Sequence, residues 1–148
     1  MKIINQNILD IKEGYILHGC NAQRVMGSGV ALALRNKYPI IFDKYCQLCD
    51  ESPVDFARLG RFNFVKVANN LTVVNIISQL YYGSDGKRYS DYAAINQAFS
   101  DIRRDIHFMK NNQVYLPYKI FSDRGGADWN IVSKMIDYYL PDAIVCKI

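Results

Sequence analysis

Cysteine is scarce in this chain, at four of 148 residues. Cys20, Cys46, Cys49 and Cys146 fall far below the density of a disulfide-stapled scaffold. Cys46-Gln-Leu-Cys49 has redox or zinc spacing, yet no second Cys/His pair follows it. The two thiols therefore read as packed or partly exposed, and no metal is implied. Long apolar runs are absent too, so nothing in the chain is suited to cross a bilayer. Met1-Lys2 leads straight into a short β-type run, without the h-region and small-residue cleavage site of a signal peptide. The expectation is a soluble, cytoplasmic protein with no membrane partner. Charge of one sign is also lacking: the net charge is +4, and lysines and arginines are scattered apart from Lys87-Arg88 and Arg103-Arg104. That argues against a nucleic-acid stripe and is compatible with one anionic small molecule. Repeats and linkers are missing as well. The length suits one domain over residues 1–148, expected as a monomer.

What is present is globular: 50% hydrophobic and 13% aromatic residues against 22% charged. "KIINQ" and "YILHG" are short β-type runs, and "GVALALRNKY" has apolar residues at helical spacing before Pro39. "IIFDKYCQLC" predicts a second helix, broken around Glu51-Ser52-Pro53. "RFNFVKVA" alternates like a half-buried strand, and "LTVVNIISQL" is apolar enough for a largely buried one. The Asn69-Asn70 turn signal between them predicts a hairpin. "YYGSDGKRYS" is the longest loop. From Asp91, the spacing of Ile95, Phe99, Ile102, Ile106 and Met109 marks one face of a helix. "QVYLPY" is a strand whose pairing Pro117 ends. A polar loop from Ser122 to Asp128 then leads to a helix carrying Val132, Ile136 and Tyr139, and "AIVCKI" closes the chain as a β-type segment.

Strands interleaved with helices predict an α/β fold, a central sheet covered on both faces, and the hairpin makes that sheet mixed. Ligands in such folds collect beyond the carboxyl ends of the strands. Segments 17–30, 78–91 and 117–129 qualify. In the first, Gly27-Ser28-Gly29 opens a helix, where free backbone amides and the helix dipole favour phosphate. Asn21 offers a donor and an acceptor suited to ribose hydroxyls. In the last, Gly125-Gly126-Ala127 again precedes a helix, with Asp128 as its N-cap. Two such loops suggest a ligand with two phosphates.

"NILD", "ILHGCNAQRVMGSGVALALRNKYP", "VVNIISQLYYG" and "LPYKIFSDRGGADWNIV" resemble the macrodomain family, in order along nearly the whole chain. Within it, the "NIL" opening, a histidine in "HxCN", the glycine turn and a loop ending at tryptophan resemble the fungal-type ADP-ribose-1″-phosphate phosphatase branch. The resemblance implies a three-layer α/β/α fold with a mixed sheet and a site for ADP-ribose or ADP-ribose 1″-phosphate, with no cofactor. It carries Asn7 and Ile8 over to the ligand site, Asn7 standing where many macrodomains place an aspartate for the adenine amino group. It puts Asn21 on the distal ribose, and Gly27, Ser28, Gly29 and Val30 beside that ribose and its phosphate. Ser122, Asp123, Arg124, Gly125 and Gly126 match the loop that wraps the diphosphate.

Catalysis would fall to His18, Asn21 and Asp123. His18 has two readings, an imidazole that activates water or steadies a departing phosphate, and a strand-end histidine held by backbone hydrogen bonds. His107 is expected at the surface or its boundary. A neighbouring branch, the ADP-ribosyl hydrolases acting on modified protein or nucleic acid, uses a lysine where this chain has Gln79 and an aspartate where it has Gly125. The usual Gly-x-Gly of the second loop is here Phe121-Ser122-Asp123. Asp123 either points away from a bound diphosphate or serves as a base toward water, with Arg124 offsetting its charge. Tyr82, Tyr89 and Tyr92 flank the long loop, with core packing as their expected fate. Trp129 is expected to anchor the helix after the second loop. Three readings stand together: the phosphatase, a hydrolase releasing ADP-ribose from a macromolecule, and a non-catalytic ADP-ribose-binding module. A thiol-based enzyme using Cys20 or Cys46 is a more distant fourth.

Overall fold

Ile16 and Leu17 are adjacent in β2 (Gly14–Asn21), fully buried, and belong to different hydrophobic layers. The same alternation divides β4 (Leu71–Gln79), where Val73 and Ile77 join the layer of Ile16 while Val74 and Ile76 join that of Leu17. A strand that buries both faces needs a cover on each side. These coordinates are a computed structural model describing residues 1–107 and 113–148. Six strands form one sheet, with β1 (Lys2–Asn5), β3 (Phe62–Ala68), β5 (Val114–Pro117) and β6 (Ile144–Lys147) completing the order β1-β6-β5-β2-β4-β3. Every adjacent pair is parallel except β3 with β4, the antiparallel hairpin turning at Asn69-Asn70.

One face is covered by α1 (Gly29–Lys37) and α2 (Ile40–Asp50), through Leu34, Ile41, Tyr45, Leu48 and Cys49. The other is covered by α3 (Tyr92–His107) and α4 (Trp129–Tyr139), through Ile95, Phe99, Ile102, Ile106, Val132 and Ile136. Burying each such side chain is worth roughly 1.5–3 kcal/mol. The expected α3 face is present from Ile95 to Ile106, and Met109 lies outside the described residues. The fold is a three-layer α/β/α arrangement around a mixed sheet, as the alternating pattern predicts. His107 is exposed, Cys49 is buried and Cys46 is half-buried. Among the described residues, no helix is long and apolar enough to cross a membrane, and none form a cluster of three or more metal-ligating groups.

Strand order and direction place the site. β5, β2 and β4 are neighbours and parallel, so the loops after Pro117, Asn21 and Gln79 leave the same edge of the sheet side by side. These are the three segments singled out in the sequence.

Candidate functional site

A cleft of about 480 Å³ opens at that edge. Its walls are the glycine turn before α1 (Gly27, Ser28, Gly29), the loop after β5 (Lys119, Asp123, Arg124) and the start of the long loop (Tyr82, Gly83). The two glycine-bearing loops meet across it. The Arg124 side chain passes over α1, its Cδ 3.6 Å and Nε 3.7 Å from where a Cβ on Gly29 would stand. Gly29 has φ +61°, a conformation that L side chains rarely adopt.

Local chemistry leaves the start of α1 open. Ser28, at the N-cap, makes no side-chain capping bond, and the first turn holds no acidic residue. The first amides of the helix therefore have no intrahelical acceptor and, among the described residues, no side-chain acceptor, and the helix dipole adds positive potential there. The second glycine loop differs. Asp128 caps α4 by accepting from the Asn130 amide at 2.8 Å, so that helix terminus is already satisfied. Of these two helix starts, only that of α1 lacks a side-chain cap. Arg124, exposed above it, has no ion-pair partner among the described residues.

Asn21 holds the turn that leads from β2 to α1. Its Nδ2 donates to the Val25 carbonyl at 2.7 Å, and its Oδ1 accepts from the Gln23 amide at 2.8 Å. From α2, the Tyr45 hydroxyl lies 2.6 Å from the Asn21 carbonyl and 2.9 Å from Oδ1. The pairing of β2 with β4 shifts register between Cys20 and Asn21, an irregularity common next to functional sites.

The loop after β5 is fixed from below. The Tyr89 and Ser90 amides both donate to the Gly125 carbonyl at 2.8 Å, and Ser90 Oγ donates to the Phe121 carbonyl at 2.7 Å. A Cβ at Gly125 would run into Ser90 Oγ and the Phe121 carbonyl, so this backbone excludes an aspartate there. Lys119 and Phe121 both adopt left-handed backbone, φ +59° and +65°. Each such residue costs of order 1–3 kcal/mol and persists only where its surroundings enforce it.

Comparison with solved structures places this arrangement. A protein of unknown function from Bacteroides thetaiotaomicron superposes with a TM-score of 0.85 at 26% identity, covering 99% of this chain and 97% of that one. The macrodomain of Thermus aquaticus DarG superposes at 0.78 with 20% identity, covering 99% and 95%. The fold is that of a macrodomain. Thermosipho africanus DarTG in complex with ADP-ribose is similar to this macrodomain fold at a TM-score of 0.79 and 13% identity, over 99% of this chain and 41% of that one. No protein-family model and no curated protein matches the chain.

Of the residues carried over from the macrodomain resemblance, His18, Asn21, Gly27, Ser28, Gly29, Val30, Asp123, Arg124 and Gly125 line the cleft. Asn7, Ile8, Ser122 and Gly126 do not. Asn7 spends its Oδ1 on the Leu9 amide, 2.9 Å away, capping a short 3-10 turn, and Ile8 is buried in the layer under α1. His18 reaches the cleft floor, but its side chain turns into the interior. It is 1% exposed, with Nε2 2.6 Å from Asn75 Oδ1, and burial pushes its pKa down to about 4 against the pull of that hydrogen bond. The Cys20 thiol is pushed up chiefly by burial, with Cys49 adding to it, so it stays protonated and offers no nucleophile to a thiol mechanism. Tyr82 is exposed at the cleft instead of packed in the core. Tyr89 is half-buried and bonds Asp85, while the half-buried Tyr92 accepts the Asp128 amide. Trp129 packs edge-on against Tyr118 with centroids 5.3 Å apart.

Proposed function

We propose that this protein binds ADP-ribose in the cleft, with the diphosphate lying between the open start of α1 and the loop carrying Asp123 to Gly125. One observation carries this reading: the α1 terminus is uncapped, free of acidic residues and overhung by an unpaired Arg124 at the cleft mouth. Two positive groups side by side at the cleft, the helix start and the guanidinium lying over it, call for an anion beside them. The complex of a similar fold with ADP-ribose supports the choice of ligand. In this reading Asn21 orders the turn beside the distal ribose and presents its second amide hydrogen there.

The finer proposal is hydrolysis of ADP-ribose 1″-phosphate. Asp123 is the one carboxylate among the residues lining the cleft. It takes a proton from the water that attacks phosphorus, the bond from phosphorus to the 1″ oxygen breaks, and solvent protonates the leaving oxygen as inorganic phosphate departs. His18 acts in this scheme as a positioning residue below the site, because its Nε2 is committed to Asn75. Removal of ADP-ribose from macromolecules is the weaker alternative. Gln79 donates to the Tyr81 carbonyl at 2.8 Å and is no nucleophile, and Gly125 has no room for a carboxylate.

Thermal unfolding with and without ligand tests the binding step. ADP-ribose at a hundredfold its Kd adds about 2.7 kcal/mol of stability and raises Tm, while adenosine adds far less. An unchanged Tm at millimolar ADP-ribose would defeat the proposal.

A further inference from the structure

Phe121 occupies backbone that an aromatic residue rarely takes, φ +65°. Its ring explains how it stays there. Phe121 is 7% exposed and packs against Phe99 of α3 with centroids 5.8 Å apart. It also rests on the bare backbone of β2: a Cβ on Gly19 would stand 2.8 and 2.9 Å from ring carbons Cδ1 and Cε1, and 2.9 Å from the rotatable Ser78 hydroxyl. No real side chain fits there, so Gly19 is the seat that admits the ring. The Phe121 carbonyl is held as well, accepting from Ser90 Oγ at 2.7 Å and from the Ala127 amide at 3.1 Å. Immediately after it, Ser122 Oγ is buried without a partner among the described residues, and Asp123, Arg124 and Gly125 line the cleft.

We propose that Phe121 is a positioning residue: its ring, seated on Gly19, holds the left-handed turn that aims the Ser122–Gly125 backbone at the anion in the cleft. The ring thereby supplies through packing what a glycine would supply through conformational freedom. The ligand in this inference is taken from the ADP-ribose reading, while the mechanical part stands on the packing alone.

Gly19→Ala adds one methyl beneath the ring, and Gly19→Ala/Phe121→Gly then removes the ring and gives the φ +65° position to the one residue that adopts it without packing support. Two readouts apply to both variants and to the wild type: calorimetric ADP-ribose affinity, and amide hydrogen exchange across residues 122–126. Gly19→Ala is expected to weaken affinity about tenfold and to speed exchange in that stretch, and the double variant to recover both to within about threefold of wild type. Ile16→Val, in the opposite layer, is the control that lowers Tm without altering either readout. Wild-type exchange and affinity in Gly19→Ala, or a double variant no better than the single one, would overturn the proposal. A wild type that fails to bind ADP-ribose removes the ligand assignment, and the exchange measurement still decides the mechanical claim.

Discussion

His18 Nε2 lies 2.6 Å from Asn75 Oδ1, and the two residues are register partners on β2 and β4. Asn75 Nδ2 donates to the Ile41 carbonyl and to Asn63 Oδ1, each at 3.1 Å. Its oxygen is therefore the acceptor and the imidazole the donor, which places the proton of the neutral ring on Nε2. A polar thread thus runs from β2 through β4 to β3 and the first turn of α2, inside an otherwise apolar layer.

The thread makes stability depend on pH. Burial holds the folded His18 near pKa 4, below the ordinary value of 6.5. The unfolded chain binds the extra proton first, so stability contributed by the neutral ring is complete above pH 6.5 and is lost as pH falls toward 4. The loss approaches roughly 1.4 kcal/mol per pH unit within that window. Urea unfolding of wild type and His18→Asn at pH 7, 6 and 5 measures it. The difference between their slopes should carry this sign, and equal slopes would remove the neutral buried imidazole from the account.

Asn75→Ala leaves a buried ring donor without its acceptor. The expected cost is about 1–3 kcal/mol at pH 7, read from the urea midpoint at unchanged m-value.

Ser28→Asp separates stability from binding. An aspartate at the N-cap supplies the capping bond that Ser28 does not make and complements the dipole, stabilising the fold by about 0.5–1 kcal/mol. The same carboxylate takes over the amides proposed for the diphosphate and repels it, so ADP-ribose affinity should fall at least about tenfold. Higher Tm with unchanged affinity would mean that the anion sits elsewhere.

Asp123→Asn separates chemistry from binding. Phosphate release from ADP-ribose 1″-phosphate is expected to drop by about 10² or more, the scale of a general base, while ADP-ribose affinity holds or improves. Undiminished release would remove Asp123 from the mechanism.

The sheet and its covers were legible in local sequence. The run Val73, Val74, Ile76, Ile77 announces a strand buried on both faces, and a two-residue turn after Ala68 can join only antiparallel neighbours. Loop placement followed, because strand ends in such a fold define where ligand loops gather. Side-chain direction was less accessible. Strand alternation puts His18 on the face of Ile16 and Cys20, yet the partner that captures its ring lies 57 residues on in sequence, on β4. Asn7 is singled out by position alone, and the structure adds that its Oδ1 accepts from the Leu9 amide in a local turn. Phe121 gave no local signal for left-handed backbone, since a distant glycine and Phe99 create the seat that enforces it.

Calorimetric titration with ADP-ribose at pH 7 and moderate salt is the most direct trial of the central claim, that the open start of α1 and the Asp123–Gly125 loop grip one diphosphate. The expected result is a single site with a Kd of order micromolar, weakened by Ser28→Asp. A wild-type Kd weaker than millimolar would contradict it.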